Sequence, residues 1–158
     1  METKTNVMRI LDKKKISYTP HFYQSEDGHI DGVSVAEKIG KPAECVFKTL
    51  VTRHDRDFFV FVVPVAKELD LKKCAKAAGQ KSVEMIHVKD IIKITGYVRG
   101  GCTSIGMKKQ FPAVVHESAF VHEKIWVSGG RIGLQIQLAP EDLLKANGGK
   151  RGDIIKNG

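Results

Sequence analysis

The stretch that decides the fold is residues 45–63, with the sequence CVFKTLVTRHDRDFFVFVV. Two runs rich in β-branched and aromatic residues, 45–52 and 57–63, flank the polar tetrapeptide 53–56. Runs of this kind separated by a short polar turn are typical of a β-hairpin. The second run is almost continuously apolar and has the length of a buried strand. The sequence therefore predicts a β-hairpin over residues 45–63.

Shorter patterns on either side predict further strands and helices. Thr5, Asp31 or Ser34, and Asp70 are candidate helix caps, Gly40 and Gly79 end helices, and Pro140 begins one. Strands are predicted at 17–23, 113–116, 125–127 and 133–138, and helical stretches at 6–15, 34–39, 71–78, 88–94 and 140–146. Because strands and helices do not alternate regularly, the pattern indicates an α+β fold. We expect one domain over residues 1–158, with a mixed curved or barrel-like sheet surrounded by helices and a frayed basic tail at 147–158.

Composition limits the function classes. A chain of 158 residues with 42% hydrophobic and 28% charged residues is ordinary for a globular domain, and no apolar run is long enough to cross a membrane. A net charge of +8 is expected either of a protein that binds a polyanion or of a basic protein without such a partner. Three scattered cysteines and no secretory signal favour the reducing cytoplasm. The sequence has no metal-ligand spacing, so we expect no metal and no cofactor.

Lys48 is the most informative single residue. The strand period places it on the same face as Val46 and Leu50, in an otherwise apolar strand. Such a lysine is either an edge residue that blocks sheet-to-sheet aggregation, the commoner case, or a functional cation directed into a pocket. Thr49 beside it offers a hydroxyl, although threonine in strands usually needs no functional explanation.

Two glycine-rich segments are the other candidates for a site. Residues 96–106 contain four glycines, which permit close approach to a ligand and free N–H groups for an oxyanion, but which also suit a tight turn. The segment 128–130, Ser-Gly-Gly, is equally compatible with an ordinary hairpin turn. Cys102 is a candidate nucleophile without a recognisable partner base, and a buried small side chain is the alternative. Tyr23 offers a hydroxyl or a stacking ring, or is a packing residue.

Taken together, these segments resemble the YbaK/EbsC family, free-standing relatives of the editing domain inserted in bacterial prolyl-tRNA synthetase. The resemblance rests on six stretches in family order: 12–23 (DKKKISYTPHFY), 46–51 (VFKTLV), 67–79 (KELDLKKCAKAAG), 82–85 (SVEM), 96–101 (GYVRGG) and 127–138 (VSGGRIGLQIQL). It implies a barrel-like sheet wrapped by helices and hydrolysis of the ester between an amino acid and the terminal ribose of tRNA. It further implies that Lys48 is essential and that the substrate contacts Tyr23, Thr49, Gly96, Gly100, Gly101, Ser128, Gly130 and Gln135.

The Lys-Thr-Leu form of residues 48–50 resembles the branch of the family that acts on Cys-tRNA(Pro). In that branch the thiol of the bound cysteine attacks its own ester carbonyl, so no protein nucleophile is required. The chain departs from close relatives at Thr103-Ser104, where Ser-Pro is common, and at Gln135, where some have aspartate. Deacylation of another small amino acid, such as alanine, therefore stays an alternative, as do an inactive tRNA- or synthetase-binding module and a hydrolase that uses Cys102. The implied partners are tRNA and prolyl-tRNA synthetase.

Overall fold

The computed structural model describes residues 4–157 and contains α-helices, β-strands and short 3₁₀ turns. In chain order the elements are α1 (Asn6–Lys13), β1 (Thr19–Phe22), α2 (Gly32–Lys38), β2 (Phe47–His54), β3 (Asp57–Pro64), α3 (Leu71–Ala77), β4 (Glu84–Met85), α4 (Ile91–Thr95), β5 (Ala113–His116), β6 (Ile125–Ser128), β7 (Leu134–Leu138), α5 (Pro140–Asn147) and β8 (Lys150–Gly152). The 3₁₀ turns cover Ala43–Cys45, Val88–Asp90 and Glu117–Val121.

The predicted hairpin is the centre of a five-stranded sheet with the order β4-β2-β3-β5-β8. β2 and β3 are antiparallel with Thr52 opposite Phe59, and Asp55 takes the positive φ of 53° that the tight turn requires. β3 is buried on both faces because α3 covers one face and the second sheet covers the other. Phe61 packs with Cys74 of α3, while Val62 packs with Ile136 of the second sheet.

The second sheet has three antiparallel strands in the order β1-β7-β6. It joins the larger sheet at a parallel bridge between Val46 and Trp126. The prediction of a single α+β domain is confirmed, but the barrel-like sheet is corrected. The strands form two sheets that share one core, and they do not close into a barrel. A pattern of short strands with glycine-rich corners is common to both arrangements, so the sequence does not distinguish them.

Side-chain caps begin three of the helices as predicted. The Thr5 hydroxyl accepts a hydrogen bond from Met8 N–H at 3.3 Å, and the Asp31 carboxylate accepts one from Ser34 N–H at 3.1 Å. The Asp70 carboxylate accepts from the N–H groups of the first turn of α3. None of the helices described within residues 4–157 is long and apolar enough to cross a membrane.

The frayed tail predicted for residues 147–158 is wrong over most of its length. Residues 150–152 form β8, which pairs with β5 in parallel, and Leu69 and Ile155 form a further antiparallel bridge. Ile154 has no exposed surface and packs into the core beside Cys74. The glycines and lysines of this segment suggested fraying, but two consecutive isoleucines hold it on the sheet. Gly158 lies outside the described residues.

Candidate functional site

A cavity of about 650 Å³ lies between β2, the beginning of α2 and the segment that connects β4 to β5. Four segments line the cavity, 28–35, 46–51, 85–91 and 99–102, together with Val65, Ser128 at the end of β6 and Gln135 near the start of β7. Of the predicted site residues, five lie on this lining: Lys48, Thr49, Gly100, Ser128 and Gln135. Tyr23, Gly96, Gly101 and Gly130 do not.

Lys48 is a half-buried cation on the cavity wall. Within residues 4–157 its ammonium has no hydrogen-bond or ion-pair partner, whereas Lys38 and Lys73 each make three hydrogen bonds. Burial lowers the pKa of Lys48, and the carboxylate of Glu68 partly opposes this shift. An unpartnered, partly desolvated ammonium is available for a ligand that brings negative charge or a strong acceptor.

The edge of β2 is open where Lys48 lies. Val46 C=O accepts from Val65 N–H on the β3 side, and Val51 C=O accepts from Ile86 N–H on the opposite side. Because main-chain groups alternate along a strand, the N–H and C=O of Thr49 point to the side of Val51 C=O. β4 reaches only as far as Thr52, so within residues 4–157 no strand pairs with Thr49 on that side. The main-chain donor and acceptor of Thr49 therefore face the cavity.

The floor of the cavity is polar. Gln135 of β7 lies directly between His21 of β1 and Ser128 of β6 in the small sheet. The side-chain oxygen of Gln135 is buried and has no hydrogen-bond partner within the described chain. The Ser128 hydroxyl donates to Gly101 C=O at 2.9 Å and accepts from Gly130 N–H at 3.2 Å. Ser128 thus ties the two glycine segments together, and Gln135 is the floor group left to contact a ligand.

Gly100 is the one predicted glycine that lines the cavity. Its φ is 89°, and a Cβ there would lie 2.8 Å from Ile30 Cδ1, so both backbone and space require glycine. Gly96 N–H donates to Ile92 C=O, Gly101 N–H to Val98 C=O and Gly130 N–H to the Ser128 hydroxyl. These three N–H groups are therefore occupied, whereas Gly100 N–H has no acceptor within residues 4–157. Among the predicted glycines, Gly100 is therefore the one with an N–H available to stabilise an oxyanion.

Gly101 and Gly130 are required for packing. A Cβ on Gly101 would lie 2.9 Å from Arg131 Cα, and a Cβ on Gly130 would lie 2.8 Å from a methyl of Val7 in α1. Both positions keep the two glycine segments and α1 in close contact. At these two positions the glycines that suggested a ligand-binding loop are explained by the close packing of neighbouring segments.

Tyr23 lies behind the cavity wall. Its ring packs against Trp126 and Ala36, and the Lys38 ammonium lies 6.0 Å from the ring centroid. The Tyr23 hydroxyl is buried without a hydrogen-bond partner in the described chain. Such a group is costly to leave unsatisfied, and Tyr23 does not line the cavity.

Cys102 lines the cavity but is a poor nucleophile. Burial raises the pKa of its thiol to about 11, so the reactive thiolate is scarce at neutral pH. The cavity lining described within residues 4–157 contains no histidine or glutamate, and its one acidic side chain, Asp31, is bonded to Ser34 as a helix cap. The described lining therefore offers no nucleophile paired with a base.

Several residues of the lining were missed from the sequence. Arg99 and Met85 belong to segments that carried the family resemblance, but nothing in their spacing indicated a pocket. Asp31 was identified only as a cap. In the part of the chain that the structure describes, no cluster of three or more histidine, cysteine, aspartate or glutamate side chains is placed to hold a metal ion.

The chain matches the family of aminoacyl-tRNA editing domains. The sequence profile of this family matches residues 31–146, which include the open edge of β2, the glycine segments and the cavity floor. The chain belongs to the aminoacyl-tRNA editing domain family and is an aminoacyl-tRNA deacylase.

Among individual relatives, the chain is 46% identical to a protein of Enterococcus faecalis that carries the provisional name Cys-tRNA(Pro)/Cys-tRNA(Cys) deacylase EbsC. The match extends over 154 residues, which are 97% of this chain and 94% of the relative. A crystal structure provisionally described as a trans-editing enzyme for prolyl-tRNA synthetase has a TM-score of 0.82 at 18% identity, covering 98% of this chain and 100% of that one. A hypothetical protein of known structure gives a TM-score of 0.87 at 20% identity, covering 96% and 100% of the two chains. These structures show the same fold.

Proposed function

We propose that the chain, as a single editing domain, deacylates Cys-tRNA(Pro) in trans and that the thiol of the substrate is the nucleophile. One observation carries the proposal. The cavity holds an unpartnered cation, Lys48, and an open main-chain edge, but the described lining pairs no protein nucleophile with a base. An ester that brings its own nucleophile needs only to be bound, oriented and stabilised as charge develops.

The first step forms a sulfur–carbon bond within the substrate. The cysteine thiol attacks the ester carbonyl carbon, the bond from that carbon to the ribose oxygen breaks, and the thiol proton ends on the ribose hydroxyl. The product is a cyclic thioester, which water then opens to free cysteine. Negative charge develops on the carbonyl oxygen during the attack. The Lys48 ammonium and the Gly100 N–H both line the cavity and have no acceptor within residues 4–157, and we assign them to that oxygen.

The remaining polar groups orient the amino acid. The α-amino group of the substrate is a donor, and the cavity offers it two unpaired acceptors, Thr49 C=O and the Gln135 side-chain oxygen. A bound amino group would satisfy the buried Gln135 oxygen, which otherwise carries an unpaid desolvation cost. Ser128 acts through the glycine segments that it holds together.

The partners follow from charge and from the relatives. A net charge of +8 suits a tRNA, since phosphate contacts by lysine and arginine supply most of the affinity of such proteins. The provisional names of the relatives specify Cys-tRNA(Pro) and prolyl-tRNA synthetase. We therefore expect a cytoplasmic enzyme that receives its tRNA together with prolyl-tRNA synthetase.

The deciding experiment compares four esters of the same tRNA(Pro): cysteinyl, S-methylcysteinyl, seryl and alanyl. We expect rapid release of cysteine and little release from the other three, because only the free thiol can attack. Binding of the S-methyl ester, measured by competition, controls for exclusion of the added methyl group. Rapid cleavage of the S-methyl or alanyl ester would contradict the mechanism and indicate attack by water. No turnover of any ester would indicate a binding module.

A further inference from the structure

The outer wall of the cavity, residues 85–99, exposes apolar and basic side chains in alternation. Four of its residues are large and exposed: Met85 by 43%, Val88 by 57%, Ile92 by 56% and Val98 by 42%. Single exposed apolar residues are normal on a protein surface, but a group beside a cavity marks an interaction site. Met85 and Val88 also line the cavity, so the apolar surface continues from its mouth outward.

The wall is held in place by its own packing. The hydroxyl of Thr95, which is 1% exposed, donates to Ile91 C=O, and Ile86 N–H donates to Val51 C=O of β2. Ile94 packs against a core cluster that contains Val60. The apolar side chains are therefore exposed from a fixed segment, and their exposure does not result from a poorly packed loop.

Three basic residues, Lys89, Lys93 and Arg99, are exposed on the same segment. None of the three side chains makes a hydrogen bond or ion pair within residues 4–157, whereas Lys4, Lys38, Lys73 and Lys156 all have carboxylate partners. The wall contains one acidic residue, Asp90, so its net charge is positive. Unpaired cations between apolar side chains suit a ligand that alternates phosphates with flat apolar faces.

We propose that the wall binds the single-stranded 3′ end of the tRNA, with Val88 and Ile92 against base faces and Lys89 and Lys93 against phosphates. The inference rests on the proposed function, which places the terminal ester beside Lys48. The terminal ribose, its base and the preceding nucleotides must then extend out of the cavity through its mouth, where this wall begins. Unstacked bases expose flat faces that a duplex would hide, so the alternating surface fits a single strand.

The test uses the full chain with Cys-tRNA(Pro), first without and then with prolyl-tRNA synthetase. The double variant Val88→Ser, Ile92→Ser should raise KM for the tRNA about tenfold and leave kcat unchanged, because serine removes the apolar surface that these two side chains would bury against the bases. The double variant Lys89→Gln, Lys93→Gln should lower the slope of log KM against log salt by roughly 1.4, because each single-strand phosphate contact contributes about 0.7 to that slope. Val121→Ser and Lys124→Gln are the matched controls, since these exposed residues precede β6, at the end opposite Ser128.

The outcomes separate the two proposals. If the wild-type enzyme does not deacylate Cys-tRNA(Pro), the proposed function fails. If the wild type is active and the wall variants match the controls, the wall does not bind tRNA. Effects that arise only when prolyl-tRNA synthetase is added would assign the surface to that protein and overturn the inference. A loss of kcat at unchanged KM would also overturn it, because docking then plays no part.

Discussion

Replacing Lys48 by methionine separates the role of this residue in function from its role in stability. The ammonium of Lys48 makes no hydrogen bond or ion pair within the described chain, so its removal costs only the longer-range attraction to the carboxylate of Glu68. Burial lowers the pKa of Lys48, which means that folding disfavours its charged form at neutral pH. An uncharged side chain of similar length should therefore leave the melting temperature unchanged or raise it. If Lys48 stabilises the oxyanion, loss of one such donor costs ~3–4 kcal/mol, or about 10²–10³ in kcat.

The assay is single-turnover release of cysteine from Cys-tRNA(Pro), with spontaneous ester hydrolysis subtracted, beside a thermal melt. Lys73→Met is the matched control because its ammonium donates to Asp153, Ile155 C=O and Asn157 at 2.9–3.1 Å. That variant should lose ~1–3 kcal/mol of stability and keep its activity. The two lysines are thus expected to give opposite results in the two measurements.

A stable Lys48→Met variant with near-normal turnover would refute the role assigned to the cation. Lys48→Arg distinguishes charge from shape, since a planar guanidinium is larger and places its donors differently from an ammonium. We expect Lys48→Arg to be nearly as inactive as Lys48→Met. Full activity of the arginine variant would mean that positive charge alone is sufficient.

Three further results are expected. Ile154→Ala should lower the free energy of unfolding in denaturant by ~2–5 kcal/mol, whereas Ile155→Ala should lower it less because Ile155 is partly exposed. If both losses are negligible, the tail is frayed as the sequence predicted. Glu68→Gln removes the carboxylate that raises the Lys48 pKa, so the alkaline loss of activity should move to lower pH, with Lys156→Gln as the control for the lost ion pair. The affinity for tRNA should fall at least about tenfold between roughly 50 and 200 mM salt, and a constant affinity would exclude an electrostatic surface.

Much of the fold was predictable from the spacing of apolar residues and from the residues that cap helices and form turns. The hairpin, the caps at Thr5 and Asp70 and the strand Ala113–His116 follow from local patterns that the final structure keeps. The arrangement of the strands in two sheets was not predictable from local patterns. The two sheets meet at a bridge between Val46 and Trp126, which are 80 residues apart in the sequence. Two short strands, β4 and β8, were missed because two or three residues give no period to detect.

The candidate site was predictable only in part. Lys48 stood out because a charge interrupts an apolar strand, whereas the open main-chain edge at Thr49 depends on how far β4 extends. The glycine-rich segment indicated close approach, but only the structure distinguishes Gly100, with a free N–H, from Gly101, whose N–H is used in a turn. Which N–H groups stay unpaired is a property of the whole fold.

The size of the cavity bears on how the enzyme would select its substrate. At about 650 Å³ it has room for much more than the side chain of cysteine, so size alone cannot exclude serine or alanine esters. Even a closely fitted pocket separates such small differences by only ~10–200-fold. On the proposed mechanism the alanyl ester binds but has no nucleophile, and the seryl hydroxyl is far less nucleophilic than a thiol at neutral pH. On this mechanism the enzyme selects its substrate by the reactivity of the amino-acid side chain, so a large cavity does not reduce its specificity.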